Sequence, residues 1–362
     1  MTKRIGILTL HRALNFGAVF QCYALKHACE AMDYEVETID YNPFGHYSVL
    51  GALHHRPIVA YKYIMFMRQF NRFVSQYLNP TTHTESHEWI KNNPPQDDIY
   101  IVGSDTVWSN AVVGDYLDSY LLDFAPPQVK RISFAASTGG NPMTLNEYQL
   151  TELRKFAAIS VRERQSVSDV QAKVDIPVVD VCDPTLLLTQ YDYAKIEQKP
   201  LWLPKHYIVY FDLAGDPFCS QTAQLIAKSL HLPILNLVGK YRSWAQYNYL
   251  TPTPEQWLYI LHHADFVCTN SFHGVAFSII FRRLFICCTA KKGGRAKTNG
   301  RMLNLLEKTN LQERYVTDFT QVTETVVEDM DFVDSESYIY KYIEYSLEWL
   351  KNAISDEKNQ ER

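Results

Sequence analysis

Short runs of β-branched and aromatic residues alternate with helix-like segments along most of the chain, and this alternation constrains the fold more than any other feature. Strand-like runs occupy residues 4–10, 34–41, 99–102, 132–136 and 176–181, each bounded by polar residues, Gly or Pro. Short buried strands separated by helices are typical of an open parallel sheet. The first half of the chain is therefore predicted to be an α/β domain.

The same alternation begins again near residue 207. Further strands are predicted at residues 207–213, 234–238, 266–269 and 285–288, with helices between them. Residues 190–205 are polar and hold Pro200 and Pro204, which places the break between the two halves there. A length of 362 residues suits two domains.

Charge and cysteine content narrow the class of protein. The formal net charge is -5 and the sequence pI is about 6.2, so nothing indicates nucleic acid as a partner. The seven cysteines lie mostly in apolar runs without a C-x-x-C pair, which favours buried thiols in a reducing compartment. The N-terminus lacks a signal peptide, and no apolar stretch reaches the roughly 20 residues needed to cross a bilayer. These features predict a cytoplasmic protein.

The segment richest in candidate functional groups is residues 268–286 (CTNSFHGVAFSIIFRRLFI). A strand is predicted to end at Thr269, and Asn270, Ser271 and His273 then lead into a helix. Backbone N–H groups at a helix N-terminus favour an anion, and His273 could hold a phosphate oxygen or donate a proton there. The alternative is that Asn270 and Ser271 only cap the helix and His273 packs. The Ser-Phe-His-Gly setting at a strand–helix turn favours the functional interpretation.

Two basic segments are candidates for binding an anion. In residues 159–166 (ISVRERQS) a strand delivers Arg162, whose planar fork suits carboxylate or phosphate, although such a run is usually a charged surface. Residues 291–301 (KKGGRAKTNGR) hold Arg295, Lys297 and Arg301 among their glycines. Such a loop can fold around a phosphate, but the spacing is not that of a Walker A motif. A solvated loop is the alternative.

Small polar turns follow three strands of the first half. They span residues 11–17, 103–108 and 137–140. Asp105 is a candidate general base and Trp108 a candidate platform for a sugar ring. The alternatives, that Asp105 caps a helix and Trp108 packs in the core, are equally compatible with the sequence.

Two other patterns are weaker. Residues 56–73 are basic, aromatic and apolar, which suits a membrane-facing helix but favours a core or lid helix. His83 and His87 have metal-ligand spacing, but the sequence around them lacks the H-E-x-x-H context, so no metal site is predicted.

Taken in chain order over about residues 3–315, several short motifs resemble the polysaccharide pyruvyl transferase family. These motifs are Ile5-Gly6-Ile7, Asn15-Phe16-Gly17-Ala18, Val102-Gly103-Ser104-Asp105 with Trp108, Ala135-Ala136-Ser137, Ser160-Val161-Arg162-Glu163, Cys182-Asp183-Pro184-Thr185, Thr269-Asn270-Ser271-Phe272-His273-Gly274 and the helix start at Arg301. The ordered set is more specific than any one of its members.

The resemblance implies a GT-B-like α/β fold with two Rossmann-like domains facing a cleft. It implies an N-terminal domain of residues 1–190 on the acceptor side and a C-terminal domain of residues 206–336 on the donor side. Residues 337–362 would form a helix that crosses back to the first domain. The implied donor is phosphoenolpyruvate, and no metal or other cofactor is expected. The implied acceptor is a galactose- or mannose-type sugar of a bacterial capsule or exopolysaccharide, or its lipid-linked precursor.

The resemblance also implies roles for individual residues. The family pattern carries the donor site onto Arg162 and His273, whereas Ser271 stands where one subgroup has an arginine, so a further cation must come from elsewhere. The expected site comprises His273 as acid and Asp105 as base, Arg162, Asn270, Ser271, Arg295, Lys297 and Arg301 around the donor, and Asn15, Trp108 and Ser137 around the acceptor.

Three other functions remain open at this point. One is a GT-B glycosyltransferase that uses a nucleotide sugar, and another is a non-catalytic sugar-binding component of a polysaccharide assembly complex. The third is a family member that acts on a redox-cofactor or iron–sulfur partner. A cytoplasmic protein with peripheral contact at the inner face of the membrane is a further alternative for its location.

Overall fold

The computed structural model describes residues 2–44, 57–213, 215–289, 299–322 and 332–355. The chain divides into two compact units. Unit 1 comprises Met1–Leu187 together with Tyr342–Arg362, and unit 2 comprises Leu188–Lys341. Among the described residues, each unit is built around one six-stranded parallel sheet.

In the sheet of unit 1, all of whose strands are parallel, the direction of winding reverses between β1 and β3. Its strands are β1 (Arg4–Leu8), β2 (Glu35–Thr38), β3 (Ile99–Val102), β4 (Lys130–Ala136), β5 (Ala158–Val161) and β6 (Val178–Asp180). Their spatial order is β2-β1-β3-β4-β5-β6. Ile5 of β1 is paired with Val36 on one side and with Ile99 on the other. All residues of β3 are buried, which accounts for its unbroken apolar sequence.

Helices connect and cover these strands. They are α1 (Phe16–Glu30), α2 (Pro57–Tyr77), α3 (His87–Asn92), α4 (Asn110–Val113), α5 (Leu117–Tyr120), α6 (Glu147–Leu153) and α7 (Arg164–Gln171). In α2, Phe70 and Phe73 are buried, and their rings approach Phe16 and Phe20 of α1 at 5.2 and 5.3 Å. This packing agrees with the core interpretation of residues 56–73, of which residue 56 lies outside the described part.

Unit 2 has the strand order of a Rossmann fold. Its strands are β7 (Ile208–Phe211), β8 (Ile234–Leu237), β9 (Tyr247–Tyr249), β10 (Phe266–Thr269), β11 (Leu284–Cys288) and β12 (Tyr315–Val316). They lie in the order β12-β11-β10-β7-β8-β9, so the direction of winding reverses between β7 and β10. Ligands of open parallel sheets bind beyond the carboxyl ends of the strands at such a reversal.

The helices of unit 2 begin at residues suited to starting them. They are α8 (Gln190–Ala194), α9 (Pro217–Leu230), α10 (Pro254–His262), α11 (Phe272–Ile280) and α12 (Asn299–Lys308), followed by α13 (Phe332–Ile354). Both α9 and α10 begin with proline behind an Asp or Thr cap. Residues of α13 from Tyr342 onward belong to unit 1, where Cys182 N donates to Ser346 Oγ at 3.0 Å.

The predicted alternation of strands and helices is confirmed in both units. Strands β3 and β10 have the predicted bounds, whereas β9 and β12 were missed because they are short strands at sheet edges. All seven cysteines are buried free thiols, as their apolar surroundings predicted. No helix in the described ranges is both long and apolar enough to cross a membrane.

Candidate functional site

The loop after β3 in unit 1 is fixed against the loop after β1 and against α1. Thr9 Oγ1 donates to the backbone oxygen of Ser104 at 3.0 Å, and Gln21 Nε2 donates to Thr9 Oγ1 at 2.8 Å. Gln21 Oε1 also accepts from Ser104 N at 2.9 Å. All three side chains are buried. These bonds therefore hold the loops after β1 and β3 and helix α1 together at the strand reversal of unit 1.

Gly103 allows this loop to pass close to β4. Its φ is 117°, a left-handed value that favours glycine. A Cβ at this position would lie 2.3 Å from the backbone oxygen of Phe134. Glycine at position 103 is therefore required by the backbone, independently of any chemistry.

Arg162, predicted to grip the donor, is instead buried among carboxylates. It follows β5 directly and is 2% exposed. Its Nη1 donates to Asp183 Oδ2 at 2.8 Å and its Nε donates to Glu163 Oε1 at 3.2 Å. Burial lowers the pKa of Arg162, but the charges of Glu163 and Asp183 outweigh this and raise the pKa above its ordinary value. The structure thus corrects the expectation, because this guanidinium neutralises buried carboxylates and is not presented to a ligand.

Ser137, expected on the acceptor side, belongs to the same buried cluster. Its hydroxyl donates to Glu163 Oε1 at 2.6 Å and accepts from Gly139 N at 3.1 Å. Ser104 Oγ adds a hydrogen bond of 3.2 Å to Asp183 Oδ2. Ser137 is fully buried, so the acceptor role assigned to it is also corrected.

Trp108 is a core residue and not a sugar platform. Its ring is fully buried and meets Phe156 edge to face, with the ring centroids 5.8 Å apart. The indole Nε1 donates to the backbone oxygen of Tyr120 at 3.0 Å. Since neither face of the indole reaches solvent, the packing alternative is the correct one.

Asp105 and Asn15 both shape the turns in which they lie. Asp105 has a φ of 68°, and its Oδ1 accepts from Thr106 N at 2.8 Å. Asn15 Oδ1 accepts from Gly17 N at 2.9 Å and caps α1. Their roles as general base and as acceptor ligand stay predictions.

A second polar cluster of unit 1 is centred on Asp40, where β1 and β2 end. Arg12 Nε donates to Asp40 Oδ1 at 2.8 Å, and Arg12 Nη2 bonds the other carboxylate oxygen. His11 Nε2 and His83 Nδ1 each lie 3.1 Å from Asp40 Oδ1. Burial alone would raise the pKa of Asp40, but hydrogen bonds from Arg12 and His11 hold it well below its usual value. Asp40 is therefore a buried anion that orders the loop after β1.

Arg12 also lines a cavity of about 360 Å³ in unit 1. This volume lies within the range of small-ligand sites. The walls combine aromatic rings with polar groups, and they comprise Thr9, Leu10, Arg12, Ala13, Leu14, Tyr41, Asn42, Phe44, Tyr63, Met67, Asn71, Val112 and Tyr120. Rings beside hydrogen-bonding groups suit a sugar, whose faces are apolar and whose edges are polar.

In unit 2 the turn after β10 is fixed by its own side chains. Ser271 caps α11 by accepting from Gly274 N at 3.4 Å, while Ser271 N donates to Thr269 Oγ1 at 3.0 Å. Thr269 Oγ1 donates to the backbone oxygen of Phe211, at the end of β7, at 2.6 Å. A Cβ on Gly274 would lie 2.5 Å from Thr269 Oγ1, so glycine lets α11 begin close to both strands.

Asn270 joins this turn to the loop after β7. Its Nδ2 donates to Asp212 Oδ1 at 2.6 Å, and its Oδ1 accepts from Leu213 N at 3.1 Å. Asp212 Oδ2 accepts from Tyr210 OH at 2.6 Å. The two loops that flank the strand reversal of unit 2 are therefore joined side chain to side chain. Asn270 and Ser271 thus hold the turn in place, and their roles in binding the donor stay predictions.

His273 lies in the first turn of α11 and is 8% exposed. The backbone N–H groups of a first helical turn lack partners further back in the helix, so this end carries partial positive charge. An imidazole at such a position can transfer a proton beside a bound anion. The catalytic role of His273 stays a prediction.

Arg301 is half-buried in the first turn of α12. The start of this helix is attached to the end of β11, because Asn299 Nδ2 donates to Thr289 Oγ1 at 3.0 Å. Because β11 lies next to β10, the first turn of α12, which contains Arg301, lies at the same sheet edge as the 270–274 turn. Arg295 and Lys297 lie outside the described residues.

Sequence reasoning missed Asp212 and the pairing of Arg12 with Asp40. Asp212 comes directly after the apolar strand β7, which is the signal that could have identified it, whereas the strand before Asp40 reads EVET and gives no such signal. The pairing of Arg12 with Asp40 could not be predicted from the sequence, because it depends on β1 and β2 being neighbours in the sheet. His83 and His87 contact different carboxylates, Asp40 and Asp123, at 3.1 and 2.8 Å.

Comparison with known proteins gives a family and a fold. A family model described as polysaccharide pyruvyl transferase matches residues 15–291. The chain is similar to the MnaA–UDP co-structure from S. aureus, with a TM-score of 0.53 and 11% identity over 99% of each chain. It also matches the UDP-GlcNAc 2-epimerase from Neisseria meningitidis bound to UDP-GlcNAc, with a TM-score of 0.47 and 9% identity over 96% of this chain and 100% of that chain. No curated protein matches significantly. At such identity the first structure supports the fold alone, which is GT-B-like with two Rossmann-like units, as predicted.

Asp40→Asn should destabilise unit 1 in a pH-dependent way. Removing the carboxylate leaves Arg12 without its buried partner, so the free energy of unfolding should fall by about 3 kcal/mol at pH 7. Because the pKa of Asp40 is lowered in the folded protein, its stabilisation is present above pH about 4 and is lost as the pH falls further.

Urea unfolding of wild type and Asp40→Asn at pH 7 and pH 3 would test this. The difference in unfolding free energy between wild type and Asp40→Asn should be smaller at pH 3 than at pH 7. The exposed Asp33, changed to Asn, serves as control and should show a small difference at both pH values. An equal loss for Asp40→Asn at both pH values would mean that its charge is not the stabilising feature.

Proposed function

The chain belongs to the polysaccharide pyruvyl transferase family, and we propose that it transfers the pyruvyl group of phosphoenolpyruvate to a sugar as a cyclic ketal. The proposed acceptor is a galactose- or mannose-type sugar of a bacterial capsule or exopolysaccharide, or its lipid-linked precursor. The observation that carries the proposal is the 270–274 turn. It lies inside the family match, at the strand reversal of unit 2, with His273 in the first turn of α11.

We assign donor binding to unit 2. Phosphoenolpyruvate carries a phosphate and a carboxylate, so its site needs fixed positive charge and hydrogen-bond donors. The N-terminal turn of α11 supplies partial positive charge, and Arg301 supplies a full charge at the same sheet edge. Arg295 and Lys297 are the further cations proposed for the donor. Asn270 and Ser271 act by holding the turn in shape.

The proposed reaction needs a proton at the vinyl carbon of phosphoenolpyruvate, and we assign His273 as the acid that provides it. Protonation of C3 leaves an oxocarbenium-like centre at C2, to which one sugar hydroxyl adds as its proton passes to a base. Asp105 is the candidate for that base. The bond from C2 to the phosphate oxygen then breaks, and the second hydroxyl adds to C2 while its proton leaves with the phosphate. The products are the ketal and inorganic phosphate.

We assign the acceptor sugar to the cavity of unit 1. Its exposed or half-buried rings Phe44 and Tyr63 replace Trp108 as the proposed stacking surface. Arg12, Asn42 and Asn71 supply hydrogen-bonding groups at the same cavity. Free buried cysteines support a cytoplasmic location.

The first test is phosphate release from phosphoenolpyruvate with a panel of galactosyl and mannosyl lipid-linked acceptors. The expected product is heavier than the acceptor by one pyruvic acid minus one water, which mass spectrometry detects. Transfer of a sugar from a nucleotide sugar, with no phosphate released from phosphoenolpyruvate, would establish the glycosyltransferase alternative. Sugar binding without turnover of either donor would instead favour a binding component.

His273→Gln should abolish most turnover while leaving the fold intact. Loss of a general acid typically costs a factor of 10² to 10⁴, so we expect kcat to fall at least about 100-fold. The matched control is His206→Gln in the same unit, because His206 is exposed and precedes β7 at the opposite end of the strand. A folded His273→Gln protein with wild-type kcat would remove His273 from the mechanism.

Tyr63→Ala should weaken acceptor binding and leave donor binding unchanged. Loss of one ring contact of about 1 kcal/mol would raise the acceptor KM about fivefold. Tyr61→Ala is the control, since Tyr61 lies on the same helix but is 62% exposed and outside the cavity lining. Equal KM values for the two variants would exclude this cavity as the acceptor site.

A further inference from the structure

Glu197, His262 and His263 of unit 2 bring one carboxylate and two imidazoles together away from the 270–274 turn. Glu197 follows α8, His262 ends α10 and His263 comes next. Glu197 Oε2 lies 2.8 Å from His262 Nδ1, and Glu197 Oε1 lies 3.1 Å from His263 Nε2. One ligand atom from each residue lies within 4.8 Å of the others. The three groups thus converge from two separate segments of the chain.

Neighbouring aromatic rings hold both imidazoles in place. The ring of His262 stacks on Phe281 with centroids 4.4 Å apart, and the ring of His263 stacks on Tyr259 at 4.0 Å. The segment that carries Glu197 is fixed as well, because Gln198 N donates to the backbone oxygen of Glu255 at 3.0 Å. Side chains held in this way lose little further freedom when they bind a ligand.

We propose that Glu197, His262 and His263 form a binding site for a divalent transition metal ion of the zinc class. Two imidazoles and a carboxylate are a common zinc ligand set, and they leave a fourth position for water. Nitrogen ligands disfavour Mg²⁺ and Ca²⁺, which prefer oxygen. The set lies at the C-terminus of α10, the end of a helix that favours a cation.

Access and protonation both suit a metal ion. The side chain of His263 is 43% exposed and that of Glu197 is 13% exposed, so an ion reaches the cluster from solvent. A coordinating atom must be unprotonated, so the hydrogen bonds between the Glu197 carboxylate and the two rings give way to bonds with the ion when it binds.

A bound metal ion would cross-link the segment after α8, through Glu197, to the end of α10, through His262 and His263. Binding to the folded protein alone stabilises it by mass action. The site therefore links metal supply to the stability of unit 2, and it does so without any part in the proposed transfer reaction.

Titration of the full chain with Co²⁺, followed by visible absorption, tests the proposal. Wild type should bind Co²⁺ with d–d bands typical of a low-coordinate site, and Zn²⁺ should displace it. Glu197→Gln and His263→Gln should each weaken Co²⁺ affinity at least about tenfold. His206→Gln should bind as wild type, because His206 contacts a single carboxylate, Asp265, at 3.1 Å.

Two results would overturn the proposal. One is equal Co²⁺ affinity in wild type and in both folded variants, verified by circular dichroism. The other is an intense near-ultraviolet thiolate-to-metal band. That band would assign the ion to Cys219, Cys268 and Cys288, whose sulfur atoms also lie close together in the core of unit 2.

Discussion

The carboxyl edge of unit 1 depends on one buried guanidinium placed between two carboxylates. Arg162 bonds Asp183 and Glu163, and these in turn bond Ser104 and Ser137. The loops after β3, β4, β5 and β6 are thus joined through a single charged centre. Removing one partner of a buried ion pair leaves an unpaired charge, at a cost of about 3–5 kcal/mol, which explains why such a centre fixes its surroundings firmly.

This charge pairing constrains where an anionic substrate can bind. Arg162 faces Glu163 and Asp183, and Arg12 faces Asp40, so both arginines are largely compensated within unit 1. In unit 2, the first turn of α12, which contains Arg301, and the N-terminus of α11 lie at the same sheet edge. These charges support the proposal that a phosphorylated donor binds to unit 2 and a neutral sugar to the aromatic cavity of unit 1.

The fold class was predictable because short apolar strands and their polar ends are local features of the sequence. The turn at residues 270–274 was likewise predictable, since a strand, a cap and a glycine follow one another there. The role of Arg162 was not, because Asp183 lies 21 residues further along and meets it only when β5 and β6 are paired. Trp108 shows the same limit: core packing and sugar stacking both call for an aromatic ring, and only the burial of the ring in the folded chain decides between them.

The two units fix their strand reversals by different physical means. Unit 1 uses buried charges and a buried glutamine, each of which depends on residues distant in sequence. Unit 2 uses a threonine hydroxyl, an amide and the absence of a side chain at Gly274, so the position of α11 is set by close backbone approach. The turn also borders one acid, because Asn270 Nδ2 donates to the Asp212 carboxylate. The backbone N–H groups in the first turn of α11 carry partial positive charge, and in the proposed function His273 lies there beside the bound anion.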